Sequence, residues 1–113
     1  MQTMEIIKTN LKDNADKKTL YSLTKGRGVK LTDAEDGVYP VEMYAIYTDE
    51  TTAGEAVDRL AFISGGTRYY TGSKSMIQTF KDIADVFDSD PFSIALKHMT
   101  SKSGRVYLLC DLA

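Results

Sequence analysis

Two basic clusters and a set of tyrosines are the parts of this 113-residue chain with chemistry to offer. Lys25, Arg27 and Lys30 lie in Lys25-Gly26-Arg27-Gly28-Val29-Lys30, and Lys102 and Arg105 bracket Ser103-Gly104 in a second polar stretch. An ammonium or guanidinium holds a phosphate oxygen, and glycine lets the backbone approach one closely. Tyr44, Tyr47, Tyr69, Tyr70 and Tyr107 are interleaved with Arg59, Arg68 and Arg105. An exposed ring accepts any nucleobase, because every base has a π-face, and each stack is worth roughly 1–3 kcal/mol. Cations beside exposed rings are what a nucleic-acid strand needs, for phosphate and for base. Each residue also has a bland alternative: solvated loop charge for the cations, core or rim packing with a wet hydroxyl for the tyrosines.

Other chemistries find no support in residue type and spacing. Lys25–Lys30 lacks the Gly-Lys-Ser/Thr ending and following helix of a phosphate-binding P-loop. His98 is the sole histidine and Cys110 the sole cysteine, so neither a zinc set nor an intrachain disulfide can be assembled from them. Asp33-Ala34-Glu35-Asp36-Gly37 lacks the distal glutamate of a calcium loop and reads as a turn. No Ser/His/Asp or Cys/His constellation is visible, so neither an enzyme nor a cofactor is expected. The formal net charge of −2 advertises no nucleic acid, but a strand responds to the local field of a groove. No apolar run reaches a membrane span and Met1–Leu20 is too polar for a signal peptide, so a soluble cytoplasmic protein is expected.

The positioning elements begin with a hairpin. Phe92, Ile94 and Leu96 alternate with polar or small residues, and Val106, Leu108, Cys110 and Leu112 alternate with Arg105, Tyr107, Leu109 and Asp111. Period two on both sides of a short basic loop predicts two paired strands with a uniform apolar face. Tyr107 then shares the outward face with Arg105 and is the best stacking candidate, followed by Tyr44. Glu5–Leu11, Thr19–Thr24, Val38–Thr48, Val57–Ser64 and Thr67–Thr71 read as further strands. Pro40 belongs near an edge, and Gly65-Gly66 makes a turn. One helix is predicted over Ser75–Phe87, with Met76, Ile77, Phe80, Ile83, Ala84 and Phe87 on one face and Ser75 with Gln78 as a capping box. The whole is a single domain, 1–113. Meandering strands, a helix and a terminal hairpin give a mainly β fold with one helix, in the order of an OB-fold-like five-stranded β-barrel. Its core is expected to hold Met43, Leu60, Phe62, Ile94, Leu96, Val106 and Leu108.

Three stretches resemble the single-stranded DNA-binding proteins of bacteriophages, in particular those of small phages with protein-primed replication. They are Thr100–Tyr107 in the hairpin, Asp36-Gly37 opening the strand through Val41–Tyr47, and Leu60-Ala61-Phe62 through to Ile83-Ala84-Asp85. The element order agrees from about Glu5 to Leu112. The basic loop at Lys25–Lys30 is shorter and more basic than that family's pattern. The resemblance implies binding of single-stranded DNA without sequence preference during phage replication or recombination, inside an infected bacterium. The residues assigned to the strand are Lys25, Arg27, Lys30, Tyr44, Tyr47, Arg59, Arg68, Tyr69, Lys102, Arg105 and Tyr107. Partners would be single-stranded DNA and replication proteins, with no membrane, and a homodimer is left open. The alternative is a small phage-encoded interaction protein that inhibits or regulates a host factor; a third reading, a small-molecule or nucleotide sensor, would require an enclosed pocket.

Overall fold

The computed structural model describes residues 5–11, 17–50, 53–87 and 90–113. It is mainly β, with two helices. The elements are β1 (Glu5–Thr9), α1 (Lys17–Lys25), β2 (Val29–Lys30), a 3-10 turn (Leu31–Asp33), β3 (Gly37–Val41), β4 (Met43–Glu50), β5 (Ala56–Ser64), β6 (Thr67–Thr71), α2 (Lys74–Phe87), β7 (Phe92–Thr100) and β8 (Val106–Leu112). A large sheet runs β1-β4-β5-β6-β2 and a small sheet runs β3-β7-β8, and neither closes on itself. The single five-stranded barrel expected from element order is thus not what these strands form.

The long strand read over Val38–Thr48 is β3 and β4 in succession. Glu42 sits at the passage between the sheets, with its N–H donating to Ile63 O and its carboxylate accepting from Gly65 N–H. Pro40 faces Ser93 in the β3–β7 ladder, and among the described residues β7 is the only strand paired to β3, which suits a residue without an N–H. Gly65 and Gly66 both take positive φ, 57° and 79°, and turn β5 tightly into β6.

The core lies between the large sheet and a layer made of the small sheet and α2. Tyr44, Ile46, Leu60 and Phe62 meet Ile94, Leu96, Leu108 and Cys110, and Met76, Ile77, Phe80 and Ala84 of α2 complete it. Burial pushes the Cys110 thiol up to about 11, which leaves it an inert apolar group. The helical stripe lies where its spacing put it, but the cap does not. Ser73, not Ser75, accepts the Met76 N–H through Oγ at 3.4 Å, and Gln78 pairs forward with Asp82.

Thr19–Thr24 is the main correction. It is part of α1, not a strand. Strand alternation would separate Leu20 from Leu23, whereas a helix unites them, and Thr24 Oγ1 donates back to Leu20 O at 2.8 Å. Leu23 is fully buried against Ala45, Tyr47 and Ala61 on the far face of the large sheet. That face is therefore covered as well, and Met43 packs there instead of in the main core. Val106, expected inside, is 58% exposed beyond the end of the core.

His98 ties the 3-10 turn to the small sheet. Its Nδ1 lies 2.6 Å from Asp36 Oδ1, and its Nε2 lies 3.0 Å from Leu31 O and 3.1 Å from Thr32 O. Carbonyl and carboxylate oxygens accept only, so both ring nitrogens must carry protons, and the geometry selects the imidazolium. The Asp36 hydrogen bond accordingly raises the His98 pKa, and the same bond lowers that of Asp36, with Lys97 adding to the effect on Asp36. The contribution of His98 is complete below its ordinary value of about 6.5 and is lost as pH rises through its raised folded value. The contribution of Asp36 is present above the ordinary carboxylate value and is lost as pH falls through its lowered one. The melting temperature is expected to decline as pH rises from about 6.5 through the raised folded value of His98 in the parent, and that limb should be absent in His98→Ala. Parallel limbs in the two proteins would show that the clip contributes nothing.

Candidate nucleic-acid interface

The hairpin is built as its alternation requires. The β7–β8 register pairs Leu96 with Cys110, Lys97 with Leu109, His98 with Leu108, Met99 with Tyr107 and Thr100 with Val106. The loop is Ser101–Arg105, closed by Ser101 N–H to Arg105 O and Gly104 N–H to Ser101 O, each 2.9 Å. With Leu96, Leu108 and Cys110 turned inward, Lys97, Met99, Tyr107 and Leu109 share the outer face of the small sheet. No helix covers that face among the described residues. Tyr107 is 46% exposed there, beside exposed Met99 and Leu109, and Lys97, Lys102 and Arg105 are all exposed around it. A ring with cations on the same strand pair and in the adjoining loop can stack a base and hold its phosphates.

The remaining candidates do not join this face. Tyr44, 1% exposed, stands edge-on to Phe80 and Phe92 in the core, so no base can reach it. Tyr69 is stacked on Phe62 and edge-on to Tyr39. Tyr47, Arg68 and Lys25 anchor α1. The Tyr47 hydroxyl donates to Thr24 O at 2.9 Å, and Arg68 donates through Nε to Leu23 O at 2.6 Å and through a terminal nitrogen to Thr24 O at 2.9 Å. Lys25 pairs with Asp49 at 2.7 Å. Tyr47 and Arg68 thereby satisfy carbonyls that a helix end leaves without intrahelical partners. The glycines of the basic loop are explained in the same way. A Cβ on Gly26 would lie 2.3 Å from Ser22 O, and one on Gly28 would lie 2.5 Å from Arg68 O. The chain itself, rather than a phosphate, makes the close approach.

Arg27 is exposed between α1 and β2. Lys30 and Arg59 meet elsewhere, at a cavity of about 310 Å³ that they line together with Tyr70. The Lys30–Tyr70 pairing in the parallel β2–β6 contact brings them there. Tyr70 lies on the α1 side of the large sheet, under the Arg68 guanidinium at 4.9 Å from the ring centroid. Lys25, Arg27 and Lys30 therefore do not flank one groove with Lys102 and Arg105, because the two sets belong to the outer sides of different sheets. Tyr69 and Tyr70 have opposite parity and nothing in the sequence says which face is open; the structure turns Tyr69 toward the core and Tyr70 toward α1. Met99 joins Leu109 on the outer face through its pairing with Tyr107.

Comparison with known proteins finds no family model, no curated protein and no solved structure that matches this chain. Among the described residues no group of His, Cys, Asp and Glu is arranged to hold a metal ion, and no helix is long and apolar enough to cross a membrane.

Proposed function

We propose that the protein binds single-stranded DNA without sequence preference, on the outer face of the small sheet. The observation that carries this reading is the half-exposed Tyr107 ring on an uncovered strand face, among Lys97, Lys102 and Arg105. Tyr107 supplies a base platform, and the cations hold the backbone and release counterions. A strand held in this way is kept from re-pairing and shielded from nucleases, the service that replication or recombination intermediates require. An OB-type arrangement is the finer fold reading. Its support is the long strand β3–β4 shared by two sheets, the β4-β5-β6 meander, the helix before β7 and the terminal hairpin.

Tyr107→Ala is expected to weaken binding of oligo(dT) by roughly 1–3 kcal/mol, a factor of several to more than a hundred. Tyr107→Phe should bind like the parent, and both variants should melt within about half a kcal/mol of it. Binding should weaken with salt at a slope of about −0.7 per neutralised phosphate. A Tyr107→Ala variant that binds normally would remove the ring from the site. A flat salt dependence would instead favour a protein partner, a second reading supported by the exposed Val38, Met99 and Leu109 on the same sheet. That would be the regulator of a host factor.

A further inference from the structure

We infer that the cavity between β2, β5, β6 and the turn leading into α2 is a second, separate site that takes one phosphorylated nucleoside, the unit that stands at the 5′ end of a single strand. The inference rests on the strand-binding reading for its biological ligand, and on the cavity alone for its chemistry. The cavity measures about 310 Å³, at the lower end of the range that encloses small ligands. Lys30, Arg59, Tyr70, Thr71, Gly72 and Ser73 supply its lining chemistry. Two cations arrive from different strands, and no carboxylate is among its lining residues. In a chain of net charge −2 that is a local inversion of sign. Three further cavities each carry carboxylates: Glu42 and Asp90, Glu55 and Asp58, and Asp111.

The chemistry suits a nucleotide better than a bare anion. Tyr70 adds an aromatic surface, already polarised by the Arg68 guanidinium beside it. Ser73 and Thr71 add hydroxyls to the lining, the first accepting the Met76 N–H and the second the Ser73 N–H. Asp49, a carboxylate partner of Arg59, is 3.9 Å from its Nε and is held more tightly by Lys25 at 2.7 Å. The Arg59 Nη1 lies 4.0 Å from where a Cβ on Gly72 would stand, at the cavity's lining. A phosphate placed between Lys30 and Arg59 would neutralise both, with the nucleoside against Tyr70. Gly72 needs no positive φ and has no other atom within 4 Å of that Cβ position, so a side chain there can fill the space without straining the backbone.

The test uses the full chain and three probes: (dT) oligomers with a 5′-phosphate, the same oligomers with a 5′-hydroxyl, and free thymidine 5′-monophosphate. The 5′-phosphorylated oligomer should bind about tenfold more tightly, the scale of one charge-assisted hydrogen bond. The ratio of the two affinities should fall to about one in Lys30→Gln and in Gly72→Leu, with melting temperatures recorded alongside. Equal affinities in the parent, with no binding of the monophosphate, would overturn the cavity site and leave strand binding intact. Monophosphate binding that depends on Lys30, with no binding of either oligomer, would support the cavity as a free-nucleotide site and overturn strand binding. Failure of all three probes would overturn both.

Discussion

Replacing Phe80 with alanine should destabilise the domain by about 3–5 kcal/mol, enough to remove much of the 5–15 kcal/mol that holds a typical domain folded. Phe80 is fully buried on α2, and its ring is the meeting point of both sheets. It stacks on Phe62 of β5 at 5.8 Å, and stands edge-on to Tyr44 of β4 at 5.2 Å and to Phe92 of β7 at 5.5 Å. Truncation loses the transfer energy of the ring, three aromatic contacts worth about 0.5–1.5 kcal/mol each, and leaves a cavity that strands fixed by their ladders cannot collapse to fill. Urea denaturation should show a much lower midpoint with an unchanged slope. Val86→Ala, on the solvent side of the same helix, should stay within about half a kcal/mol of the parent. A Phe80→Ala midpoint close to that of Val86→Ala would mean that the two sheets do not depend on this joint.

Phe80 was legible in the sequence because its signal is a period. Met76, Ile77, Phe80 and Ala84 recur at helical spacing over several turns, and only a helix with one buried face explains them. The terminal hairpin was legible for the same reason at period two. What failed was α1. A helix of nine residues carries too few apolar positions to announce a period, and the single i, i+3 pair Leu20 and Leu23 is too short a signal to establish one. That one miss propagated into the site. Without α1, the face of β4, β5 and β6 that carries Tyr47, Arg59 and Arg68 looks open, and its polar side chains read as ligands for a strand. With α1 in place, Tyr47 and Arg68 turn out to be donors to the helix's last carbonyls. Tyr44 escaped for a related reason. Beside Glu42 its parity looked wet, but Glu42 stands where the chain changes sheet and says nothing about the face that follows. The meeting of Lys30 with Tyr70 depends on a two-residue parallel pairing, which no local pattern encodes.

Leu23→Ala should loosen α1 more than it loosens the domain. The side chain is fully buried between Ala45, Tyr47 and Ala61, a site where leucine truncation typically costs about 2–5 kcal/mol. A nine-residue helix cannot hold its shape alone, since isolated helices need about 12–15 residues even to be marginal. The helix therefore persists only while docked, by Leu23 below and by the Tyr47 and Arg68 donors at its end. Once the docking energy is gone, α1 leaves the sheet before the sheet unfolds, and the loss of global stability is capped at what docking contributed. Amide hydrogen exchange should show protection falling through Lys17–Lys25, with β5, β7 and α2 close to parental. Arg68→Ala should shift the same amides in the same direction, because the Leu23 and Thr24 carbonyls lose their guanidinium. Tyr21→Ala, 67% exposed on the opposite side of the helix, should change little. If Leu23→Ala instead lowers protection equally across every element, α1 belongs to the same cooperative unit as the core around Phe80, and the large sheet needs both of its covers to stand.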